Sequence, residues 1–146
     1  MINNILDSKN LIILGFILKL LIGTFFASFV LKDLFIPFID FFVINLENPY
    51  ENFLDVNSPQ NFPYPTLMLL ILSTPVFIAE LFFDLETLPL QVSFFIYRLP
   101  LLLADLGILI ILSSWVRAES QKRLIWLYWF SPVLFYISYM HGQLDV

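Results

Sequence analysis

The sequence contains no cysteine, one histidine and four glycines. Without cysteine, thiolate metal sites are excluded and the redox compartment is unread. With His141 as its one histidine, the chain would have to build a metal site mainly from carboxylates. The glycines stand alone, so there is no glycine-rich loop to cradle a phosphate. Charge is also scarce, at 13% of residues against about 25% in an ordinary soluble chain. Basic residues are the scarcer sign, seven against twelve acidic, for a net charge of −5. That balance excludes nucleic acid as a partner, because binding to it needs clustered Lys and Arg.

What is present is apolar surface. Of 146 residues 60% are hydrophobic and 18% aromatic, and the mean hydropathy is +0.87. Soluble domains are nearer 45–50% apolar. So much apolar surface does not fit inside a soluble core of this size, and the sequence reads as a multi-pass integral membrane protein. The fold class expected is all-α and polytopic, with about four hydrophobic helices. A run of about 20 apolar residues crosses a hydrocarbon core of about 30 Å. Residues 11–31, 66–83, 94–116 and 124–140 are the candidate spans. The first is long for a signal-peptide core, and MINNILDSKN is not a basic leader, so it reads as a retained span. Within it Gly15, Gly23 and Ala27 recur at four-residue spacings that let another helix approach closely. Pro75 should kink the second span, with Ser73 and Thr74 free to rebond backbone carbonyls.

Between the first two spans lies a stretch that cannot sit wholly inside a bilayer. Residues 35–66 hold Asp40, Glu47, Glu51 and Asp55, no basic residue, and the aromatic–proline run Phe62-Pro63-Tyr64-Pro65. Lys32-Asp33 reads as the membrane exit. Residues 34–46 are too short to span and read as an interfacial helix, Asn48-Pro49-Tyr50 as a turn, and 51–56 as a helical turn or two. The basic loop is RAESQKR, 117–123. The positive-inside rule puts it in the cytoplasm and the acidic stretch outside. Four complete crossings would put both on one side. Either the second span is re-entrant or broken at Pro75, or the rule fails for this chain.

Several residues stand out chemically. Asp40, flanked by Phe38, Ile39, Phe41 and Phe42, should have a raised pKa, which suits a general base. Alternatively it is the water-facing residue of an amphipathic helix. Lys19, Arg98 and Asp105 are ionisable groups inside apolar runs, and such groups serve either function or helix packing. Arg98 and Asp105, seven apart, share a helix face but lie about 10 Å apart along it, too far for a tight pair. His141, Gln143 and Asp145 form the densest polar cluster after the first loop. They suit a phosphate, a sugar hydroxyl or a carboxylate-held ion, and equally an ordinary solvated helix end.

In succession, these stretches resemble a family. Asp40-Phe-Phe after the first span, Phe62-Pro-Tyr-Pro-Thr-Leu opening the second, Arg98-Leu-Pro-Leu-Leu-Leu-Ala-Asp105-Leu in the third, and Ser131-Pro132-Val with Tyr139-Met-His141-Gly-Gln143-Leu-Asp145 after it are similar to the start of GT-C-fold glycosyltransferases. The likeness is to enzymes that take hexose from a polyprenyl- or dolichyl-phosphate carrier. It implies an inverting transfer to an acceptor hydroxyl, with Asp40 as catalytic base. It implies Tyr64, Arg98, His141, Gln143 and Asp145 as substrate-binding residues, and no cofactor beyond what a divalent cation would add. The partners implied are the lipid-linked sugar donor, the membrane, and the remaining helices of a longer chain or a partner subunit. Such enzymes have about twice as many spans, so the chain is expected to be an N-terminal part. Phe62 stands where glucosyltransferases of this kind often carry an acid. The competing reading is a small helical membrane subunit or a transporter fragment, in which Lys19, Arg98 and Asp105 hold helices together or line a path.

Overall fold

A computed structural model describes residues 2–26, 29–55 and 64–141. Every element in them is helical. Helix α1 is Ile2–Phe25; a π-helical stretch Val30–Phe35 runs into α2, Ile36–Asn45; α3 is Pro49–Asp55; α4 is Thr66–Glu80; α5 is Leu90–Trp115. The last stretch is broken into α6 Gln121–Leu124, a π segment Ile125–Trp129, α7 Pro132–Leu134 and a second π segment Phe135–His141.

The helix ends follow from local chemistry. Near the end of α1, the Thr24 hydroxyl donates to the Leu20 carbonyl at 2.8 Å. Such back-bonding competes with the helix ladder. The helix stops at Phe25, six residues before the expected boundary at 31. Lys32-Asp33, expected as a membrane exit, lies instead within the π stretch leading into α2. Asn48-Pro49-Tyr50, expected as a turn, opens α3. The Asn48 side chain accepts from the Tyr50 amide at 3.1 Å and donates to Glu51 at 2.9 Å, and Pro49 takes the first helical position, where its missing N–H costs nothing. Proline stands at the start of other elements as well, α4 beginning immediately after Pro65. α5 begins immediately after Pro89, and α7 begins at Pro132 after the break at Phe130-Ser131.

Helix α4 is 15 residues long, about 22 Å, shorter than a bilayer core. Pro75 lies inside it. Both neighbouring hydroxyls, Ser73 and Thr74, donate to the Leu70 carbonyl, at 3.2 and 2.7 Å. That is one residue before Ile71, whose carbonyl Pro75 leaves without an amide. Among the described residues two helices are long and apolar enough to cross a membrane: α1 over Ser8–Phe25, and α5.

Side-chain contacts give the helix directions. Gly23 of α1 lies against Arg98 of α5, and Lys19 of α1 pairs with Asp105, so the two run antiparallel. Ile12 meets Trp129 and Gly23 meets Tyr139, so the C-terminal stretch runs parallel to α1. A short link joins α4 to α5, and Thr74 and Pro75 border the same hollow as Leu99 and Pro100, which sets α4 antiparallel to α5. One end of the bundle therefore gathers the end of α1, the start of α5 and the end of the C-terminal stretch. The link 116–120 lies at the other end.

The larger core joins Phe38, Ile39 and Val43 of α2 to Leu69, Leu72 and Val76 of α4 and Phe94, Ile96 and Tyr97 of α5. A smaller one joins Leu109, Ile125 and Trp129. Many large apolar side chains point outward, among them Ile13, Ile17 and Leu21 of α1 and Leu103, Ile110 and Ile111 of α5.

Candidate functional site

The first polar constellation is built on α2. Asp40 is half-buried between the α2–α4 core and α5. The Tyr97 phenol donates a hydrogen bond to Asp40 Oδ1. Burial, and second the nearby charge of Glu80 at the end of α4, push the Asp40 carboxyl up to about 7. Desolvation and a like charge both disfavour the ionised form, so this carboxyl exchanges a proton near neutrality.

One residue along α5, Arg98 is 5% exposed. Its Nη1 donates to the Gly23 carbonyl at 2.9 Å and to the Tyr139 carbonyl. Among the described residues its Nε and Nη2 are buried without a partner. A Cβ added at Gly23 would stand 3.3 Å from Arg98 Cδ, so a larger residue there would press the Arg98 side chain back by a few tenths of an ångström.

Further along α5 is a second constellation. Lys19, 0% exposed, pairs with Asp105, 6% exposed. Asp105 also accepts from the hydroxyls of Tyr128 at 2.7 Å and Tyr139 at 2.8 Å. The Lys19 ammonium sits 3.7 Å from the centre of the Trp129 ring, with Tyr139 and Phe135 at 5.3 and 5.5 Å. Ring faces attract a cation, so the ammonium is held by a carboxylate and an aromatic wall together. The wider π turns help build that wall. Leu134 and Tyr139 are both buried and five residues apart, a spacing that such a turn brings to one face.

The expected site residues are thus distributed as follows. Asp40 and Arg98 lie at one end of the bundle, on adjoining faces of α5, without bonding to each other. Among the described residues Asp40's hydrogen bond comes from Tyr97 and the charge acting on it is that of Glu80. His141 is two residues past Tyr139, at the same end, stacked on Tyr136 with ring centres 6.1 Å apart. Tyr64 precedes α4, packs edge-on to Phe35, and accepts the Tyr50 hydroxyl on its carbonyl at 2.8 Å. Gln143, Asp145, Phe62 and Ala27 lie outside the described residues. Asp105 faces other helices, as its position in an apolar run requires, and its partner is Lys19, not Arg98. No group of three or more metal-ligating side chains occurs among the described residues.

Two contributors escaped the sequence reading. Tyr97 sits in the apolar run FFIYRLP, where a phenol looks like one more aromatic, and its neighbour Arg98 was the one signal. Tyr128, in IWLYWF, had none. Compared with known proteins, the chain matches no family model, no curated protein and no solved structure.

Proposed function

We propose that the chain is the N-terminal part of a membrane glycosyltransferase that moves hexose from a polyprenyl-phosphate carrier to an acceptor hydroxyl, with Asp40 as the base. The observation that carries this reading is the Asp40 carboxyl itself. It is half-buried beside Tyr97, poised at about 7, at the bundle end that also holds Arg98 and the approach to His141. A general base works best with a pKa near the operating pH. In the reaction Asp40 takes the acceptor hydroxyl's proton while its oxygen attacks the anomeric carbon. The carrier phosphate leaves with the bonding pair, and cationic or N–H donors offset its charge.

The proposal includes a placement in the membrane. Helices α1 and α5 cross, with their outward apolar side chains in lipid, and the C-terminal stretch crosses back. Helix α4 is too short to cross, so residues 30–80 leave and return on one side. One crossing then separates Asp40 from the basic 117–123 loop, and the positive-inside rule and the crossing count agree. The saturated Lys19–Asp105 cluster favours packing over transport for those two residues.

The test is Asp40→Asn in the full-length protein. It keeps the shape and removes the base. Hexose transfer from a polyprenyl-phosphate donor should fall by about 10²-fold or more, with membrane insertion unchanged. Unimpaired transfer would exclude Asp40 as the base.

A further inference from the structure

A hollow of about 100 Å³, part of it open, lies between α5 and the C-terminal stretch. At about 30 Å³ for a water in the liquid, it has space for about three waters or the end of a short alcohol. Asp105, Tyr128 and Ser138 are its polar lining; Leu101, Ala104, Ile108 and Leu134 are its apolar lining. Ala104 and Ile108 are also exposed, so the mouth opens on the outer surface of α5.

Two of the polar groups have capacity left. Ser138 is 3% exposed, and among the described residues its hydroxyl has no hydrogen-bond partner. The hydroxyls of Thr24, Ser73, Thr74, Ser113 and Ser114 instead turn back onto a carbonyl of the preceding turn. A buried hydroxyl without a bond is costly. In the Lys19–Asp105 cluster the charges are matched, but the acceptor capacity is not used up. Asp105 accepts from Tyr128 on Oδ1 and from Lys19 and Tyr139 on Oδ2. An ionised carboxylate offers about four acceptor positions, so Oδ1 has one to spare. An unused donor and an unused acceptor thus border one small hollow.

The occupant must give a hydrogen and take one. An anion would meet the Asp105 carboxylate, and a cation would compete with Lys19 for it. An uncharged hydroxyl does neither. Water would satisfy the polar end but leave the apolar walls wet; an alcohol suits both.

We infer that this hollow binds the hydroxyl end of an uncharged aliphatic alcohol, which donates to Asp105 Oδ1 and accepts from Ser138 while its chain leaves past Ala104 and Ile108. A long-chain lipid alcohol and a short soluble one share that chemistry. The exposed apolar surface at the mouth, Ile108 and Ile111 on one face of α5, favours the long chain. The site is separate from the proposed acceptor. Asp105 is eight residues from Tyr97, the partner of Asp40, about 12 Å along α5 and beyond the reach of Asp40 as a base. The inference therefore stands whatever Asp40→Asn does.

The test uses the whole chain in phosphatidylcholine nanodiscs, whose lipid brings no hydroxyl. The probe is 1-octanol with a diazirine near its hydroxyl end. Photolabelling should saturate on peptides holding residues 101–108 and 134–138, and plain 1-octanol should compete. Octyl methyl ether accepts but does not donate, and should need about fivefold more. Octane and octyltrimethylammonium should not compete. Ser138→Ala removes no hydrogen bond of the folded chain and should raise the labelling midpoint about fivefold. Ala104→Phe should fill the hollow and abolish labelling; if that variant does not fold, Ser138→Ala decides. Labelling that does not saturate, or that Ser138→Ala leaves unchanged, overturns the site. Competition by octane or the ammonium as strong as that of 1-octanol overturns the alcohol as its ligand. Equal midpoints for 1-propanol and 1-octanol, each counted as concentration in the bilayer, overturn the long-chain alcohol.

Discussion

Asp40 shows how a single group ties stability to chemistry. Its folded-state carboxyl titrates near 7, against 3.8 when free. Between those values the folded chain holds a proton that the unfolded chain has lost. Stability therefore falls as pH rises from about 4 to about 7. The ionised form, unfavourable for the fold, is the one a base needs, so transfer should rise with pH through about 7. The Tyr97 phenol donates to the carboxylate and favours its charged form. Tyr97→Phe should move the activity midpoint up by about one pH unit, with transfer recovering at high pH; an unmoved pH profile would show that this bond does not tune Asp40. Lys19 and Asp105 make a different prediction. Lys19→Met alone leaves a buried carboxylate without its cation and should cost about 3–5 kcal/mol. The double variant Lys19→Met/Asp105→Leu removes both charges and should recover most of that loss, read as thermal unfolding in detergent. Equal losses in the single and double variants would mean the aromatic cage, not the ion pair, sets the stability. Sequence marked Lys19, Arg98 and Asp105 as groups needing partners, because an ionisable residue in an apolar run has few alternatives. It did not say which partners, since Lys19 and Asp105 are 86 residues apart and spacing constrains only residues on the same helix.

At the scale of elements, small residues decide how closely helices approach. Gly15, Lys19 and Gly23 lie four apart on one face of α1. A Cβ at Gly15 would collide with the Trp129 indole, which is fully buried and fixed by its N–H bond to the Ile12 carbonyl at 3.0 Å. That ring has nowhere to move, so Gly15→Ala should destabilise by about 1–3 kcal/mol. Gly107, mid-helix in α5, has nothing near an added Cβ. There alanine gains helix propensity, and Gly107→Ala should be neutral or stabilising by up to about 1 kcal/mol. Thermal unfolding of the two variants side by side checks the contrast, and equal effects would refute the packing of Trp129 on α1. The four-residue glycine spacing was legible because a helix repeats nearly at that interval. The short reach of α4 was legible only as one of two ways out of the topology conflict, and its end at Glu80 was not. Its apolar run continues to Phe83, but the chain turns at Leu81 after Glu80, and hydropathy alone does not see a turn made of apolar residues. The π segments were equally hidden, because no residue type marks a wider turn as Pro marks a helix start.

For the whole molecule, the decisive feature is which groups share an end. The antiparallel pairing of α1 with α5, and of α5 with the C-terminal stretch, sets Asp40, Glu80, Arg98 and His141 at one end. Arg117, Lys122 and Arg123 lie at the other, together with Lys9 at the start of α1. Four of the chain's seven basic residues thus gather at the end away from Asp40. Four complete crossings would forbid this arrangement, and a re-entrant or broken second span, the alternative the sequence left open, allows it. In the proposed placement the 15-residue helix does not cross, and the charge asymmetry would orient the molecule with Asp40 outside. The absence of cysteine makes the orientation directly measurable, since one introduced thiol is the only one present. Gln91, exposed in the first turn of α5, marks the Asp40 end; Ser120, exposed in the 116–120 link, marks the basic end. In intact cells or right-side-out vesicles, a membrane-impermeant maleimide should label Gln91→Cys at once and Ser120→Cys only after permeabilisation. The reverse pattern would put Asp40 in the cytoplasm and place the acceptor there. Labelling of both from one side would mean that α5 does not cross. A lipid-linked donor would then have no bundle end at which base and phosphate meet, and the assignment of Asp40 would fall with the topology.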